Sequence, residues 1–312
     1  MNDCGITTAR GSRLAAIYAM EDCWSSLPTS PVPYNLRVTG FGVQLSKDSF
    51  QSEELRSDRQ IADLRHGMFS VAGDIPVELS AGAFDDLISS VMFNDWSGVD
   101  DIIIGTEMKS FTLQRGFTDV GQYHWFPGCV VNSWNLSVEP NAIVTSTFNI
   151  IGQTMETGEA PELTGASDKA TNAPFDSFSG FIREGGTGTG DEIAVVTGLD
   201  LTIENNIEAL QVVGLNKAAG LADGRATITG TLNAYFIDSV MLNKFLNETE
   251  SSLNFQLMDD VGNYLEFYIP RIKYSGSDIS VDSEAPVTMS MPFQALLHSG
   301  EGTTMKITRS IV

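Results

Sequence analysis

The fold of this chain is decided by residues 66–93, which read His66-Gly-Met-Phe-Ser-Val-Ala-Gly-Asp-Ile-Pro-Val-Glu-Leu-Ser80 and then Ala81-Gly-Ala-Phe-Asp-Asp-Leu-Ile-Ser-Ser-Val-Met-Phe93. Within 68–79, apolar side chains recur at a spacing of two, which predicts an extended strand. Ser80 is a candidate helix N-cap. One face of the helix that follows is formed by Phe84, Leu87, Ile88 and Val91. The unit is therefore a long strand that leads into an amphipathic helix.

The same unit occurs a second time later in the chain. Gly73 of the first strand matches Gly230 at an offset of 157 residues, and residues 238–245 follow as a second helix. Three shorter matches keep the same order: 38–40 with 196–198, 119–123 with 260–264, and 142–145 with 285–288, at offsets of 158, 141 and 143 residues. Matches in one consistent order predict a duplicated domain rather than a chance recurrence, and two copies are too few for a solenoid.

The chain divides into five predicted segments. They are an N-terminal arm at 1–33, a first module at 34–152, a linker at 153–193, a second module at 194–297 and a C-terminal tail at 298–312. Prolines interrupt the end of the arm, and Gly, Ser, Thr and Pro dominate the linker, which is typical of flexible chain. The glycine run at 185–190 lacks the Lys-Ser/Thr of a phosphate-binding loop. The tail contains a possible last strand at 305–311.

Further strands are predicted in the first module. A strand at 38–45 precedes a polar, charge-rich stretch at 46–64, which could be a protruding hairpin, an interface loop or a solvated surface loop. After the helix we expect two hairpins. They pair 111–115 with 123–126 and 129–138 with 143–151. Trp125 and Trp134 lie on these strands, where a core position is more common than a ligand-stacking one.

Composition limits the possible functions. The chain has 312 residues, 42% of them hydrophobic, and a net charge of −22. This charge argues against general attraction to nucleic-acid phosphates, although it could also repel a polyanion that must pass without sticking. Solubility alone is the commoner cause of such a charge. No run of about 18 apolar residues is present, and the N-terminus lacks a signal-peptide pattern, so we expect synthesis in a cytoplasm and no membrane span.

The sequence contains no recognisable catalytic or metal-binding motif. Its 3 cysteines form no disulfide framework or paired metal site. His66, His124 and His298 lie on separate elements without metal-ligand spacing. Acidic pairs such as Asp85-Asp86 are adjacent, and adjacent side chains on a helix or strand point apart. We therefore predict a protein that is not an enzyme and that has no catalytic residues, cofactor or metal.

Several longer stretches resemble one known family. They include Ser52-Glu-Glu-Leu-Arg-Ser-Asp-Arg-Gln-Ile-Ala-Asp-Leu-Arg65, Val71-Ala-Gly-Asp-Ile-Pro-Val-Glu-Leu79, Arg115-Gly-Phe-Thr-Asp-Val-Gly-Gln-Tyr123, Asn247-Glu-Thr-Glu-Ser-Ser-Leu253 and Met291-Pro-Phe-Gln-Ala-Leu296. Together they resemble the major tail tube proteins of bacteriophages with long, non-contractile tails, the siphovirus type. The resemblance covers about residues 10–310.

The resemblance implies both a fold and an assembly. The expected fold is mainly β, with two tandem β-sandwich or rolled-sheet modules, each with one flanking helix. The inner sheets of neighbouring modules would join around an acidic lumen that conducts genome DNA into the host without binding it specifically. Because the module occurs twice, we expect trimeric rings with pseudo-sixfold symmetry that stack into a tube; a hexamer is the alternative. The protein would be made in the host bacterial cytoplasm and reside in the virion tail, with tape measure, tail terminator and tail tip proteins as partners.

Charged residues of the 46–64 stretch and its edge are the candidate interface site. We hypothesise inter-ring or inter-subunit ion pairs formed by Arg56, Asp58, Arg59, Asp63 and Arg65. Two other functions stay open. One is a receptor- or carbohydrate-binding β-sandwich of the tail-fibre or adhesin type, which would expose aromatic side chains in a groove. The other is an acidic hydrolase whose carboxylates converge from distant positions.

Overall fold

The structure is a computed structural model that describes residues 8–58, 60–98, 100–185, 191–192, 196–281 and 286–311. It confirms the predicted mainly β fold class. The strands of the first part are β1 (Leu14–Met20), β2 (Tyr34–Asn35), β3 (Gln44–Gln51), β4 (Leu64–Glu78), β5 (Asp101–Ile103), β6 (Phe111–Phe117), β7 (Gln122–Val138), β8 (Thr145–Gly152), β9 (Glu156–Gly158), β10 (Ser167–Asp168) and β11 (Phe181–Glu184). Those of the second are β12 (Asp191–Glu192), β13 (Val196–Glu204), β14 (Glu208–Leu210), β15 (Gly220–Ala222), β16 (Thr227–Tyr235), β17 (Ser251–Met258), β18 (Tyr264–Tyr274), β19 (Asp278–Ser280), β20 (Thr288–Ala295) and β21 (Lys306–Ser310). Two helices accompany them, α1 (Asp85–Met92) and α2 (Val240–Leu246), with a 3₁₀ turn at Gly11–Arg13.

The largest feature is an antiparallel sheet of eight strand positions, which we call the central sheet. Its strand order is β3, β4, β8, β7, β13, β16, β20, with the last position shared by the end of β18 and by β19. The first four positions come from the first half of the chain and the rest from the second. The halves join where β7 pairs with β13, so the sheet is continuous across the chain.

A second layer of strands packs on the central sheet. In the first half it contains β1, β6, the beginning of β7 and β9, with β2 and β10 beside β1. In the second half it contains β11, β17, β18, β21 and β5, with β12 paired to β11. β7 leaves this layer near Gly128, whose φ of 68° lies in the region that favours glycine.

One apolar core fills the space between the layers and runs through both halves. Trp134 stacks on Phe148 with ring centroids 5.4 Å apart and contacts Phe267 of the second half at 5.8 Å. Phe267 in turn stacks on Phe255 at 4.6 Å. All four rings are almost fully buried. This continuity explains why the two halves pack as one body.

The helix α1 has the predicted buried face but a different start. Phe84, Leu87, Ile88 and Val91 are buried, as the periodicity predicts. The predicted cap at Ser80 is wrong, because α1 begins at Asp85 with Phe84 at the N-cap position. Ser80 instead forms an isolated β-bridge with Pro174, so its backbone continues the sheet rather than the helix.

Strand boundaries differ from the sequence prediction in the charged stretch. The strand predicted at 38–45 is observed as β3, which begins six residues later and continues into the charged stretch. β4 likewise begins at Leu64, ahead of the predicted 68–79. The two strands extend each other because Ser49, Phe50 and Gln51 pair with residues 64–66, so the stretch is the outer end of a hairpin. The strands predicted at 123–126 and 129–138 are one strand, β7.

The predicted arm, linker and tail are integrated into the fold. β1 pairs along its whole length with β6, and Tyr18 is fully buried. In the linker, Leu163 and Phe175 are buried, and the Leu163 backbone exchanges two hydrogen bonds with the Gln114 side chain. The tail strand is observed as β21, between β18 and β5. Most of the glycine run, residues 186–190, lies outside the described residues.

Candidate functional site: the outer face and edges of the central sheet

The central sheet has one face in the core and one face open, which we call the polar face. On β4, Val71, Ile75 and Val77 point into the core, so Asp74 and Glu78 lie on the opposite side and are exposed. The same alternation holds along the paired strands. The charged residues that it places on the polar face are Asp74, Glu78, Asp200, Glu204 and Asp278. In the described part of the central sheet, this face carries carboxylates and no Lys or Arg outside β18.

Neutral groups bind these carboxylates. Ser137 Oγ donates to Asp200 Oδ1 at 2.6 Å, across the junction of the halves. Asn149 Nδ2 donates to Asp74 Oδ1 at 2.7 Å. Lys273, on the adjoining end of β18, is held by Glu248 at 2.9 Å instead. Since neutral donors do not cancel charge, the polar face keeps its negative potential.

Both lateral edges of the central sheet are unpaired. Among the described strands, β3 pairs with β4 alone and β19 with β20 alone. Each edge therefore presents a row of backbone N–H and C=O groups, which is a template for another strand. Val281, just beyond β19, is 68% exposed although it continues an apolar row.

The hairpin of β3 and β4 extends beyond the sheet and contains the predicted interface residues. Arg56 donates to Asp58 through Nε at 3.1 Å and through Nη2 at 2.9 Å. Arg65 Nε lies 3.2 Å from Asp63 Oδ2. Arg59 lies outside the described residues. These exposed pairs join neighbours within the hairpin, where such pairs stabilise by about 0–1 kcal/mol, and their contact with another chain stays a prediction.

Exposed apolar side chains at the same hairpin were not singled out from the sequence. They are Phe50, Leu55, Ile61 and Leu64, of which Leu55 is 100% exposed. Charge dominates the composition of this stretch and hides them. Their position past the last predicted core strand is a signal that could have identified them, because apolar side chains clustered on a protrusion commonly mark a contact surface.

Buried ion pairs fasten the chain around α1. Asp85 pairs with Arg309 of β21, which also donates to Asp100 at 3.1 Å and lies 4.4 Å from the Trp96 ring centroid. Burial raises the pKa of Asp85, and the charge of Arg309 opposes this rise. Asp86 pairs with Lys169 and accepts a hydrogen bond from the Tyr18 hydroxyl at 3.0 Å. These contacts attach the tail and the former linker to the first half and have a structural role.

The remaining polar clusters also support structure rather than chemistry. Glu184 accepts from Lys244 of α2 at 2.6 Å, from Ser251 at 2.5 Å and from the Tyr274 hydroxyl at 3.1 Å. No group of three or more His, Cys, Asp or Glu in the described ranges is arranged to hold a metal ion. In the same ranges, no helix has the length and apolar character needed to cross a bilayer.

An open sheet with a carboxylate-lined face and two unpaired edges defines a class: structural β-proteins suited to assembly through their strands. A family model described as "Phage tail tube protein" matches residues 11–295. The chain therefore belongs to the phage tail tube protein family, as the sequence predicts. No curated protein matches the sequence. Membership makes the chain a structural component of the tube in the virion tail, which self-assembles with other tail components.

Proposed function

We propose that copies of this chain join through the edges of the central sheet into rings that stack into the tail tube, and that their polar faces line a lumen through which genome DNA reaches the host. The observation that carries this proposal is the charge of the polar face, whose ionisable groups in the described part of the central sheet, β18 apart, are all carboxylates. The second layer and both helices would then lie on the outside of the tube.

Like charge suits a conduit for DNA. Duplex DNA carries one phosphate per about 1.7 Å of axis. At physiological ionic strength the Debye length is about 8 Å, so a carboxylate-lined wall repels phosphates only at close approach. Such a wall would prevent adhesion without obstructing movement along the axis. The neutral Ser, Thr and Asn groups between the carboxylates offer hydrogen bonds but no counter-charge.

The repeated pairing order supports a duplicated module. The strands pair as β3, β4, β8, β7, β6 in the first half and as β13, β16, β20, β18, β17 in the second. Gly73 lies opposite Ile150, and Gly230 lies opposite Phe293, at the offsets of 157 and 143 residues that the sequence matches have. We take the modules to be residues 34–152 and 194–297, each extended by outer strands from the flanking segments.

Two modules per chain favour three chains per ring. Three central sheets would give about 24 strands, and with a spacing of about 4.8 Å and a tilt of about 40° the barrel would measure about 48 Å between backbones. Such a barrel is wide enough for duplex DNA and side chains. The alternative, six chains, would double this width. Tape measure, tail terminator and tail tip proteins are the further partners we propose, in a tail of the siphovirus type.

We place the β3–β4 hairpin between stacked rings, where the charged residues from Arg56 to Arg65 would exchange their local partners for ones on the next ring. Reversal of the Arg59 charge tests this role. We expect shorter or fewer tubes from Arg59→Glu, and unchanged assembly would contradict an inter-ring ion pair at this position.

Electron microscopy of the purified protein tests the tube itself, and discrete monomers under assembly conditions would contradict it. The lumen is tested by Asp74→Lys with Asp200→Lys in phage particles. We expect tubes to form but DNA ejection to slow, because the added cations hold phosphate. Glu156→Lys on β9 of the second layer is the matched control and should leave ejection unchanged. Equal effects of both substitutions would remove the lumen assignment from the polar face.

A further inference from the structure

The junction inside the chain contains the information needed to predict the junction between chains. Where the halves meet, β13 runs antiparallel to β7, with Leu199 opposite Val138 and Leu201 opposite Leu136 in the core. On the polar face, Thr202 lies opposite Asn135, and its Oγ1 donates to Asn135 Oδ1 at 2.8 Å. The junction therefore combines an apolar row on one side with a polar row on the other.

The strand on one side of this junction, β13, has β3 and the residues before it as its counterpart. Leu201 lies opposite Gly230. Gly42 N donates to Asp74 O at 2.8 Å, which sets Val43 opposite Gly73. The two glycines are equally crowded: a Cβ on Gly73 would lie 2.3 Å from Gly42 O, and one on Gly230 would lie 2.5 Å from Asp200 O. The offset of this strand is therefore 158 residues, as in the sequence match.

The other strand of the junction, β7, has β18 and β19 together as its counterpart. β7 carries a one-residue register shift against β8 between Val131 and Ser133. β18 and β19 show the same shift against β20, because Tyr274 lies opposite Phe293 whereas Asp278 lies opposite Ser290. An offset of 143 residues therefore holds on both sides of the irregularity, and Asn135 corresponds to Asp278.

The counterparts are the two unpaired edges of the central sheet, and they are partly uncovered. Leu199 and Val138 are 1% and 8% exposed at the junction inside the chain. Their counterparts Phe41 and Val281 are half-buried and 68% exposed. An apolar row that is covered in one copy of the pattern and open in the other indicates a missing strand neighbour.

We propose that the edge of β3 in one copy pairs antiparallel with residues 276–281 of the next copy, in the register of the β13–β7 junction. This inference rests on the proposed ring and specifies its contact. The resulting pairs are Phe41 with Val281, Gly42 with Ser280, Val43 with Ile279, Gln44 with Asp278, Leu45 with Ser277 and Ser46 with Gly276. The first and third pairs continue the apolar row. At the fourth, the Gln44 amide donates to the Asp278 carboxylate, which reproduces the Thr202–Asn135 bond.

The backbone geometry is compatible with this register. Since Gly42 N donates to β4, the N–H and C=O groups of Val43 point to the open edge. The Val43 carbonyl accepts a long hydrogen bond of 3.4 Å from Arg115 Nη1. A carbonyl oxygen has two lone pairs, so it can also accept from the Ile279 N–H of the next copy. Gln44 and Asp278 then form a non-hydrogen-bonded pair, with Cα atoms about 4.5 Å apart.

That spacing permits a disulfide, which provides the test. Gln44→Cys with Asp278→Cys, in a Cys4→Ser and Cys23→Ser background, is assembled under reducing conditions and then oxidised. The two positions lie at opposite edges of one central sheet, about 34 Å apart at seven spacings of about 4.8 Å, so one chain cannot bridge them. We expect a ladder on a non-reducing denaturing gel that ends at the number of chains per ring and collapses on reduction.

Two controls fix the register. Each single cysteine should give no ladder, and Gln44→Cys with Ser280→Cys, displaced to a diagonal spacing of about 7–8 Å, should cross-link at least tenfold more slowly. Tubes without the Gln44–Asp278 ladder, or with a faster diagonal one, would overturn the register but leave the tube intact. If no tubes form with the native sequence, the proposed function fails instead.

A second pair of variants decides the case if the cysteines prevent assembly. Gln44→Glu sets two carboxylates opposite each other and should reduce tube formation at least tenfold at low salt. Adding Asp278→Lys should restore it. Failure of the second substitution to rescue the first, with both subunits folded by circular dichroism, would contradict the contact.

Discussion

The two helices occupy equivalent places in the two halves of the chain but differ in burial. α1 has seven of its eight residues buried, whereas α2 has none. α1 is covered by the chain itself: Asn205, just after β13, donates to Val91 O at 2.9 Å, and Trp96 Nε1 donates to Asp85 O at 3.0 Å. Val240 and Leu246 of α2 are 57% and 63% exposed.

The difference teaches that the cover of a helix here comes from the neighbouring half and not from its own strands. The first half has the second as a neighbour, and the element that covers α1 follows directly after the junction strand β13. On the proposed register, the hairpin beyond β3 of the next copy approaches α2 in the same way. The exposed α2 is then the surface of a unit that is complete only after assembly.

The largest expected effect separates the helices by core substitution. Leu87 is fully buried, so Leu87→Ala should lower the free energy of unfolding by about 3 kcal/mol. Leu246→Ala, the matched change on α2, should lower it by less than about 0.5 kcal/mol, as is usual for surface positions. Urea denaturation of the unassembled subunit measures both. Equal losses would mean that α2 is as well covered as α1 within one chain.

The next effect concerns the ion pairs beside the two helices. Arg309→Met leaves the carboxylate of Asp85 buried without its cation, and we expect a loss of about 2 kcal/mol near neutral pH. Arg271 pairs with Glu250 on the exposed surface of the second half, at 2.5 Å. Arg271→Met should cost less than about 1 kcal/mol. The same denaturation assay decides, and a larger loss for Arg271→Met would contradict the contrast between the halves.

A third test asks whether the two crowded glycines are equivalent. Gly73→Ala and Gly230→Ala each force a Cβ against backbone oxygen, and we expect losses of about 1–2 kcal/mol for both. Gly11→Ala is the control, because a Cβ there meets nothing within 4 Å. Thermal unfolding of the three variants measures the effect. A loss at only one of the two glycines would count against the duplicated register of β4 and β16.

The repeated strands could be predicted from sequence because they are recorded in local patterns. The alternation around Ile75 and the recurrence of Gly73 as Gly230 identify the strands and their equivalence, and the observed pairing has the same offsets. Boundaries shifted where strand pairing extended a pattern, as in β3, whose exposed residues 46–51 carry no apolar alternation.

The candidate site was less predictable, because it depends on what distant segments cover. The pairs Arg56–Asp58 and Arg65–Asp63 were identified as charges but not as partners within one hairpin. The polar face could have been read from the acidic residues that alternate with the core row, such as Asp74 and Asp200. Its two open edges could not, because an unpaired edge is a property of the whole sheet.

The smallest effect is a pH dependence that only the first half should show. Arg115 Nη2 lies 3.0 Å from His124 Nδ1, and burial, followed by the Arg115 charge, lowers the pKa of His124 below its usual 6.5. The folded state therefore binds this proton less readily than the unfolded state, so stability is full above about pH 6.5 and falls as the pH drops through the lowered pKa. The equivalent residue of the second half is the buried Leu265, which does not titrate. In His124→Gln, an acceptor for Arg115 is kept and the titration is removed, so the fall in the urea midpoint between pH 7.5 and pH 5 should be smaller than in the native chain. An identical fall in both proteins would assign the acid sensitivity to other groups.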